Sequence, residues 1–422
     1  MSSARWKTRY DVLVIGNGLA GCSAALFAAQ KGFSVGIVGT GSQLPLSSGV
    51  FDLLGKLPGA KTISEDPWKA LGELVARFPE HPYTKAGVKA TRDAFDAYAA
   101  LLNEEGVACG MEAANRKVLT SVGTAKLTYL IPEVMEKGIA PMARREKTLI
   151  VGLKGLKGFE AKQVAESARR FWPELSAVEI APEGLGRPGD LYPEALAREL
   201  DLPVYRKKLA EAILPHLDGH KAVGLPSILG MEKSKETVAH LEELLGVPCF
   251  EIPGMPPTAA GVRLREAMDR AFSRYEVASF VGGRVKKIER NDSGYTAVSF
   301  LRGEDTEISG DRLILATGRF MGGGLVGDRL KISEPLLGLS VTQPRSREEW
   351  HSCDLYDPKG HKLNLAGIEV DEAMRPVNGN GEPVCENLFA VGSILAHQDW
   401  KREKCGAGIS LATAMKAIMS LS

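Results

Sequence analysis

The sequence is short of three things: charge of one sign, paired cysteines and long apolar runs. Lys and Arg number 53 against 52 Asp and Glu, a net charge of +1. A protein whose main partner is nucleic acid shows a basic surplus, so that class is set aside. The six cysteines, Cys22, Cys109, Cys249, Cys353, Cys385 and Cys405, are scattered and form no C-x-x-C. Zinc ribbons, c-type haem and ferredoxin-like clusters therefore lack their ligand spacing, and the thiols read as reduced and cytosolic. No stretch reaches the roughly eighteen apolar residues that a bilayer span needs. The basic start, Met1 to Arg9, leads into an apolar stretch broken by glycines. It reads as a strand, with no export signal.

What is present begins at residue 10. Tyr10 to Ile15 is apolar and rich in β-branched residues, Gly16-Asn17-Gly18-Leu19-Ala20-Gly21 follows at once, and Cys22 to Lys31 is small and apolar. Strand, glycine turn and helix in that order give G-x-G-x-x-G the context in which it binds a dinucleotide or flavin phosphate. Gly16 permits the turn, Gly18 leaves room for a phosphate and Gly21 lets the helix pack on the strand. The helix N-terminus then faces the anion. The acidic residue that takes the ribose hydroxyls at the end of the second strand is missing, because Gly39 stands there.

The length gives a prior of about two to three domains. Beyond the second strand, Phe33 to Val38, lies the loop Ser47-Ser48-Gly49, either a cofactor contact or an ordinary hydroxyl turn. Ser64 to Pro67 starts a helix, and a longer one is expected from Lys85 to Glu105, with His81 in the loop between them. From Lys147 a second βαβ unit is expected, with Gly152 to Gly158 fitting neither phosphate-loop pattern. Helices follow at 192–200, 205–217 and 233–245, with a strand at 221–225. Pro248 to Pro257 reads as a crossover between domains, and Thr258 to Tyr275 as a helix carrying Arg263 and Arg265. Strands at 284–290, 295–301 and 306–309 form a meander with turns at 291–294 and 302–305. The meander leads into a strand ending Ala316-Thr317-Gly318. Asn387-Leu388-Phe389-Ala390-Val391-Gly392-Ser393 and Cys405-Gly406-Ala407-Gly408-Ile409 precede a closing helix from Ser410 to Met419.

Together these pieces resemble two-domain flavoproteins of the glutathione-reductase and fumarate-reductase type. The expected fold is α/β and Rossmann-like. Residues 1–57, 255–342 and 384–422 form its flavin domain, 58–146 a helical insertion, 147–254 an α/β insertion and 343–383 an irregular substrate or interface region. In such proteins the terminal helix aims its N-terminus at the flavin pyrimidine ring and stabilises the charge of the reduced form. More narrowly, the sequence resembles the B subunit of anaerobic glycerol-3-phosphate dehydrogenase. The resemblance rests on Ser47-Ser48-Gly49, Asp52-Leu53, His81-Pro82-Tyr83, Pro256-Pro257, Gly261-Val262-Arg263-Leu264, Gly323-Gly324-Leu325, Glu334 to Leu339, Arg375-Pro376 and Glu386 to Ser393. Ser393 replaces an acidic residue of most related flavoproteins. Arg319 departs from the family pattern where a small residue is expected, and His397 where a glycine is.

The resemblance implies a flavin subunit that works with a second flavoprotein subunit to oxidise sn-glycerol 3-phosphate to dihydroxyacetone phosphate. Electrons would pass through an iron–sulfur membrane-associated subunit to menaquinone. FMN is expected first and FAD second, in a cytoplasmic chain held at the inner face of the membrane through its partners. The flavin contacts expected are Gly16, Gly18, Leu19, Ala20, Gly21, Ser47, Ser48, Gly49, Thr317, Gly318, Gly392, Ser393, Gly406, Gly408 and Ile409. The chemistry falls to His81 as base, with Arg263 and Arg375 on the phosphate. The rival reading is a non-catalytic electron-transfer or scaffold flavoprotein. A dicarboxylate substrate is disfavoured because no H-T-x-x-A-Q-G-G-like stretch follows the second strand.

Overall fold

The computed structural model describes residues 9–185, 191–292, 294–301 and 303–421. The basic start before Arg9 and the turn residues Ser293 and Arg302 lie outside them. In chain order, β1 (Arg9–Ile15), α1 (Leu19–Gln30) and β2 (Val35–Gly39) open the fold. Next come α2 (Pro67–Arg77), α3 (Pro82–Ala86) and α4 (Val88–Glu104). The stretch 148–252 holds β3 (Thr148–Leu153), α5 (Ala161–Ala168), β4 (Leu175–Ile180), α6 (Pro193–Leu200), α7 (Pro203–Ile213), β5 (Ala222–Pro226), α8 (Ser234–Leu245) and β6 (Cys249–Ile252). Then come α9 (Ala259–Arg274), β7 (Ala278–Val281), β8 (Arg284–Asn291), β9 (Gly294–Leu301) and β10 (Glu304–Leu315). The chain closes with β11 (Leu388–Ala390), α10 (Trp400–Glu403) and α11 (Gly406–Met419).

The chain divides into two units, one of residues 1–43, 52–98 and 268–422, the other of 44–51 and 99–267. The stretch 58–146 is therefore not one insertion, since 58–98 belongs to the first unit and 99–146 to the second.

The first unit is built on a seven-stranded sheet ordered β7-β2-β1-β10-β9-β8, with β11 also paired to β10. Two expected strands fuse into β10. Its first half pairs antiparallel with β9, and its second half runs parallel to β1 from Ser309 to Leu315. Strands β1, β2, the end of β10 and β11 thus all point their C-terminal ends to one edge. That edge is where doubly wound folds bind ligands. α1 is buried on every side from Ala20 to Ala28, which is why its sequence is small and apolar without a polar face.

The second unit carries a four-stranded parallel sheet ordered β6-β5-β3-β4, with its own core around Ile150, Val151, Trp172 and Phe250. The proline-rich stretch from Pro248 proves to contain a strand. Cys249 to Ile252 is fully buried beside β5, so Pro248 and Pro253 are its bounds.

Candidate functional site

The glycine turn shows two kinds of necessity. A Cβ on Gly16 would stand 2.3 Å from the Ala316 carbonyl oxygen, and one on Gly21 1.8 Å from the Gly16 oxygen. Gly16 also adopts a φ of +109°, open to glycine. These two glycines are required by backbone packing. Gly18 is different: a Cβ there meets nothing within 4 Å. It is the N-cap of α1, and no side chain caps the first N–H groups of that helix. The turn therefore offers both space and unclaimed donors to an anion.

The same edge gathers most of the residues singled out in the sequence. Gly392 packs its Cα against the Ala20 methyl and donates its N–H to Thr413 Oγ1 at 2.9 Å. The Cβ position of Gly318 lies 3.6 Å from Ser393 Oγ. Thr317 Oγ1 and Gln398 Oε1 are buried without a hydrogen-bond partner. Orphaned polar atoms beside an open, uncapped helix start fit the polar edge and phosphate of a flavin nucleotide. Ile409 is buried in α11. The start of α11 is partly claimed, because Gly408 donates to the Asp52 carbonyl at 2.9 Å and its Cβ position is filled by the Tyr83 hydroxyl. Gly406 faces Trp400, 3.0 Å from its Cβ position. Here glycine answers to protein packing.

At the end of β2, Asn17 explains the absent carboxylate. A Cβ on Gly39 would lie 2.5 Å from the side-chain amide of Asn17, so the asparagine fills that place. With its amide turned to satisfy both neighbours, Asn17 donates to Gly41 O at 2.9 Å and accepts from Ser42 N at 3.3 Å.

The residues expected to do chemistry are all occupied. His81, read as a loop residue, is buried as the N-cap of α3. Its Nδ1 accepts the Tyr83 N–H at 3.2 Å, which puts the ring proton on Nε2, 3.1 Å from Glu403 Oε2. A ring so engaged has no lone pair free for a substrate proton. Burial pushes the Tyr83 phenol, stacked on His81, well above its ordinary value. Arg375 is gripped by Asp371 at 2.7–2.8 Å and by Glu386, and these hydrogen bonds hold its guanidinium above the usual value.

In the second unit Arg263 donates to Gly230 O at 2.6 Å and to both Glu251 oxygens at 2.8 and 2.5 Å, a closed buried pair. Ser47, Ser48 and Gly49 also belong to that unit. Ser47 Oγ accepts the Gly49 N–H at 3.1 Å, the hydroxyl turn that was one of its two readings.

The two departures from the family pattern meet in one loop. Arg319 donates Nε to Ser393 O at 2.7 Å and Nη2 to Leu395 O and Gln398 O at 3.1 and 3.0 Å, and its Nη1 reaches Asn364 O. Burial lowers this guanidinium to about 10, with Asp399 and Glu403 pulling it back, so it stays charged at neutral pH. His397 lies between two of those carbonyls at a φ of +62° and bonds Glu369 Oε1 at 2.8 Å. A glycine, the residue expected at this position from the resemblance, would enter that conformation without strain. Glu369 and Gln398 escaped sequence reading, because an isolated polar residue in an irregular stretch carries no periodic signal.

Residues 11–409 match the FAD binding domain family. The chain is 31% identical to the B subunit of anaerobic glycerol-3-phosphate dehydrogenase from Pectobacterium atrosepticum, covering 96% of this chain and 97% of that one. It is 29% identical to the protein of the same name from Vibrio vulnificus, covering 97% and 95%. A solved 3-ketosteroid delta1-dehydrogenase from Sterolibacterium denitrificans covers 98% of the chain at 10% identity and a TM-score of 0.45. The family match attaches to FAD, and the FMN-first order expected from Gly39 finds no support in it. A Rossmann-like sheet whose glycine turn, Ala-Thr-Gly strand end and Gly-Ser loop share one edge, in a chain similar from end to end to these relatives, makes this a flavoprotein of the FAD-binding domain family, and the chain belongs to the family of anaerobic glycerol-3-phosphate dehydrogenase B subunits.

Proposed function

We propose that this chain is the flavin-bearing subunit of a quinone-linked anaerobic glycerol-3-phosphate dehydrogenase, oxidising sn-glycerol 3-phosphate to dihydroxyacetone phosphate. The observation that carries the reading is the end-to-end similarity to B-subunit relatives in a chain that keeps the open turn at Gly18. FAD replaces FMN as the first choice, because the FAD-binding match runs from 11 to 409 and the turn is of the kind that holds a diphosphate. Gly16 to Gly21, Thr317, Gly318, Gly392, Ser393 and the start of α11 hold it under this reading. A flavin supplies a two-electron acceptor. The chain's scattered cysteines offer no cluster spacing, so electrons leave through an iron–sulfur partner subunit to menaquinone. No helix of the described residues is long and apolar enough to cross a membrane, so attachment falls to that partner.

A second reading, an electron-transfer or scaffold subunit, is favoured by one observation: His81, Arg263 and Arg375 are each committed to carboxylate partners. An anaerobic absorbance spectrum before and after sn-glycerol 3-phosphate separates the two, with the released cofactor identified by mass. Bleaching of the flavin band in the isolated chain supports substrate oxidation here. A band that persists until a partner subunit is added supports the second reading, and the mass of FMN would overturn the assignment of FAD.

A further inference from the structure

In Rossmann-like folds the residue that ends the second strand, about twenty residues beyond the glycine turn, faces the ribose of a bound dinucleotide and is ordinarily acidic. Here it is Gly39, and the backbone does not demand glycine, because φ at this position lies outside the left-handed region. What excludes a side chain is Asn17. A Cβ at 39 would stand 2.5 Å from the Asn17 side-chain amide and 2.7 Å from its amide carbon, and the next nearest atom is the Asn17 backbone nitrogen at 3.1 Å. Without the asparagine side chain, a shift of a few tenths of an ångström would admit a side chain at 39. Residues 17 and 39 thus compete for one place beside the turn that faces the anion.

Asn17 uses the place it holds. It is buried in the turn between Gly16 and Gly18, and its amide donates to Gly41 O at 2.9 Å and accepts from Ser42 N at 3.3 Å. The exit of β2 is thereby tied to the glycine turn. Backbone fixes the strand end on both sides, with the Gly16 N–H on Val38 O at 2.7 Å and the Gly282 N–H on Gly39 O at 2.9 Å. β7 runs parallel beside β2 as far as the pair Val281 and Gly39. Neither strand end brings a charge, since 39–43 read Gly-Thr-Gly-Ser-Gln and 281–283 read Val-Gly-Gly. Thr40 and Gly41 are exposed and Ser42 is partly so, which leaves hydroxyl and peptide groups to meet a ligand there.

We propose that Asn17 is a specificity-determining residue for the adenosine half of the cofactor: it excludes a side chain at 39, pins Gly39 to Ser42, and so replaces a charged ribose site by an uncharged one. The inference rests on the FAD assignment above. Neutral hydrogen bonds to the ribose hydroxyls are weaker than the charge-assisted ones that a carboxylate makes. The same substitution at 39 must therefore act in opposite directions according to what stands at 17.

A double-mutant cycle tests this in the full-length chain freed of flavin, by isothermal titration calorimetry. The probes are FAD, ADP, which carries the adenosine half alone, and FMN, which lacks it. Asn17→Gly should weaken FAD and ADP by about tenfold through loss of the pinned loop, and spare FMN. Adding Gly39→Glu to Asn17→Gly should tighten FAD and ADP by about tenfold, again sparing FMN. In the wild-type background Gly39→Glu should instead weaken both, because Asn17 is in its way. A Gly39→Glu effect of the same sign in both backgrounds overturns the inference, as do changes shared equally by FMN, which mark a structural effect on the turn. Should the doubly substituted chain fail to fold, Asn17→Gly decides: unchanged FAD and ADP affinity overturns the inference, and a loss confined to them supports it. A wild-type chain that binds FMN and not FAD overturns the FAD assignment instead. ADP then decides the pair alone: tighter binding when Gly39→Glu joins Asn17→Gly supports its role, and equal binding overturns it.

Discussion

Gly18 and Gly21 are three residues apart in one motif, yet they are glycine for opposite reasons, and substitution separates them. At Gly18 the backbone is extended at a φ of −77°, and a methyl would enter open space. Gly18→Ala is therefore expected to leave the stability of the flavin-free protein within about 0.5 kcal/mol, the range of a substitution that disturbs no packing. Its flavin content should fall, since the methyl takes the space left for the phosphate. At Gly21 a methyl lands 1.8 Å from the Gly16 carbonyl oxygen, which only a shift of α1 away from β1 relieves. Gly21→Ala should lower the melting temperature with and without flavin. Thermal melts of both forms, with flavin counted by absorbance, check the pair. A Gly18→Ala protein that keeps full flavin would show that no phosphate approaches there.

Arg263 shows what an element does with a residue that the sequence alone assigned to substrate. It projects from α9 onto Glu251 of β6, whose side chain is fully buried and also accepts the Leu229 N–H at 2.6 Å. Truncating one partner of a buried pair leaves the other charge without compensation, at about 3–5 kcal/mol. Arg263→Ala should thus shift the urea midpoint to lower concentration, read by circular dichroism, while Arg263→Met with Glu251→Leu should recover much of the loss. An unchanged midpoint in Arg263→Ala would show that the pair contributes little. The strands and helices around the pair were largely readable: β1, β2 and α1 from the glycine turn, β8 and β9 from their turn residues, α9 from its apolar spacing. What hid β6 was proline on both sides of a four-residue strand, a signal that equally marks a loop. What hid the pairing of Arg263 was distance in sequence, since nothing at 251 announces a carboxylate with a cation on α9.

At the scale of the whole chain the sequence showed one Rossmann-like frame with inserted material, because the frame's signals are local: a glycine turn, a strand ending Ala-Thr-Gly, a strand ending Gly-Ser. It did not show where the inserted material divides, since that is decided by which core each helix joins. The second unit's sheet, β3 to β6, closes around Trp172 and Phe250 with a core of its own. The edge that gathers Gly18, Thr317, Gln398 and Ser393 lies in the first unit. A ligand bound to the native state stabilises what it contacts, by about 4.1 kcal/mol when free ligand exceeds Kd a thousandfold. Hydrogen exchange with and without flavin should therefore slow the amides of the Gly16–Gly21 turn, Thr317–Gly318 and Gly392–Gln398. The strand amides of β3 to β6 should keep their rates. Protection gained in β3 to β6 and absent from the glycine turn would place the flavin elsewhere and with it undo the assignment of every residue at this edge, because those assignments depend on the flavin phosphate lying at the open turn of Gly18.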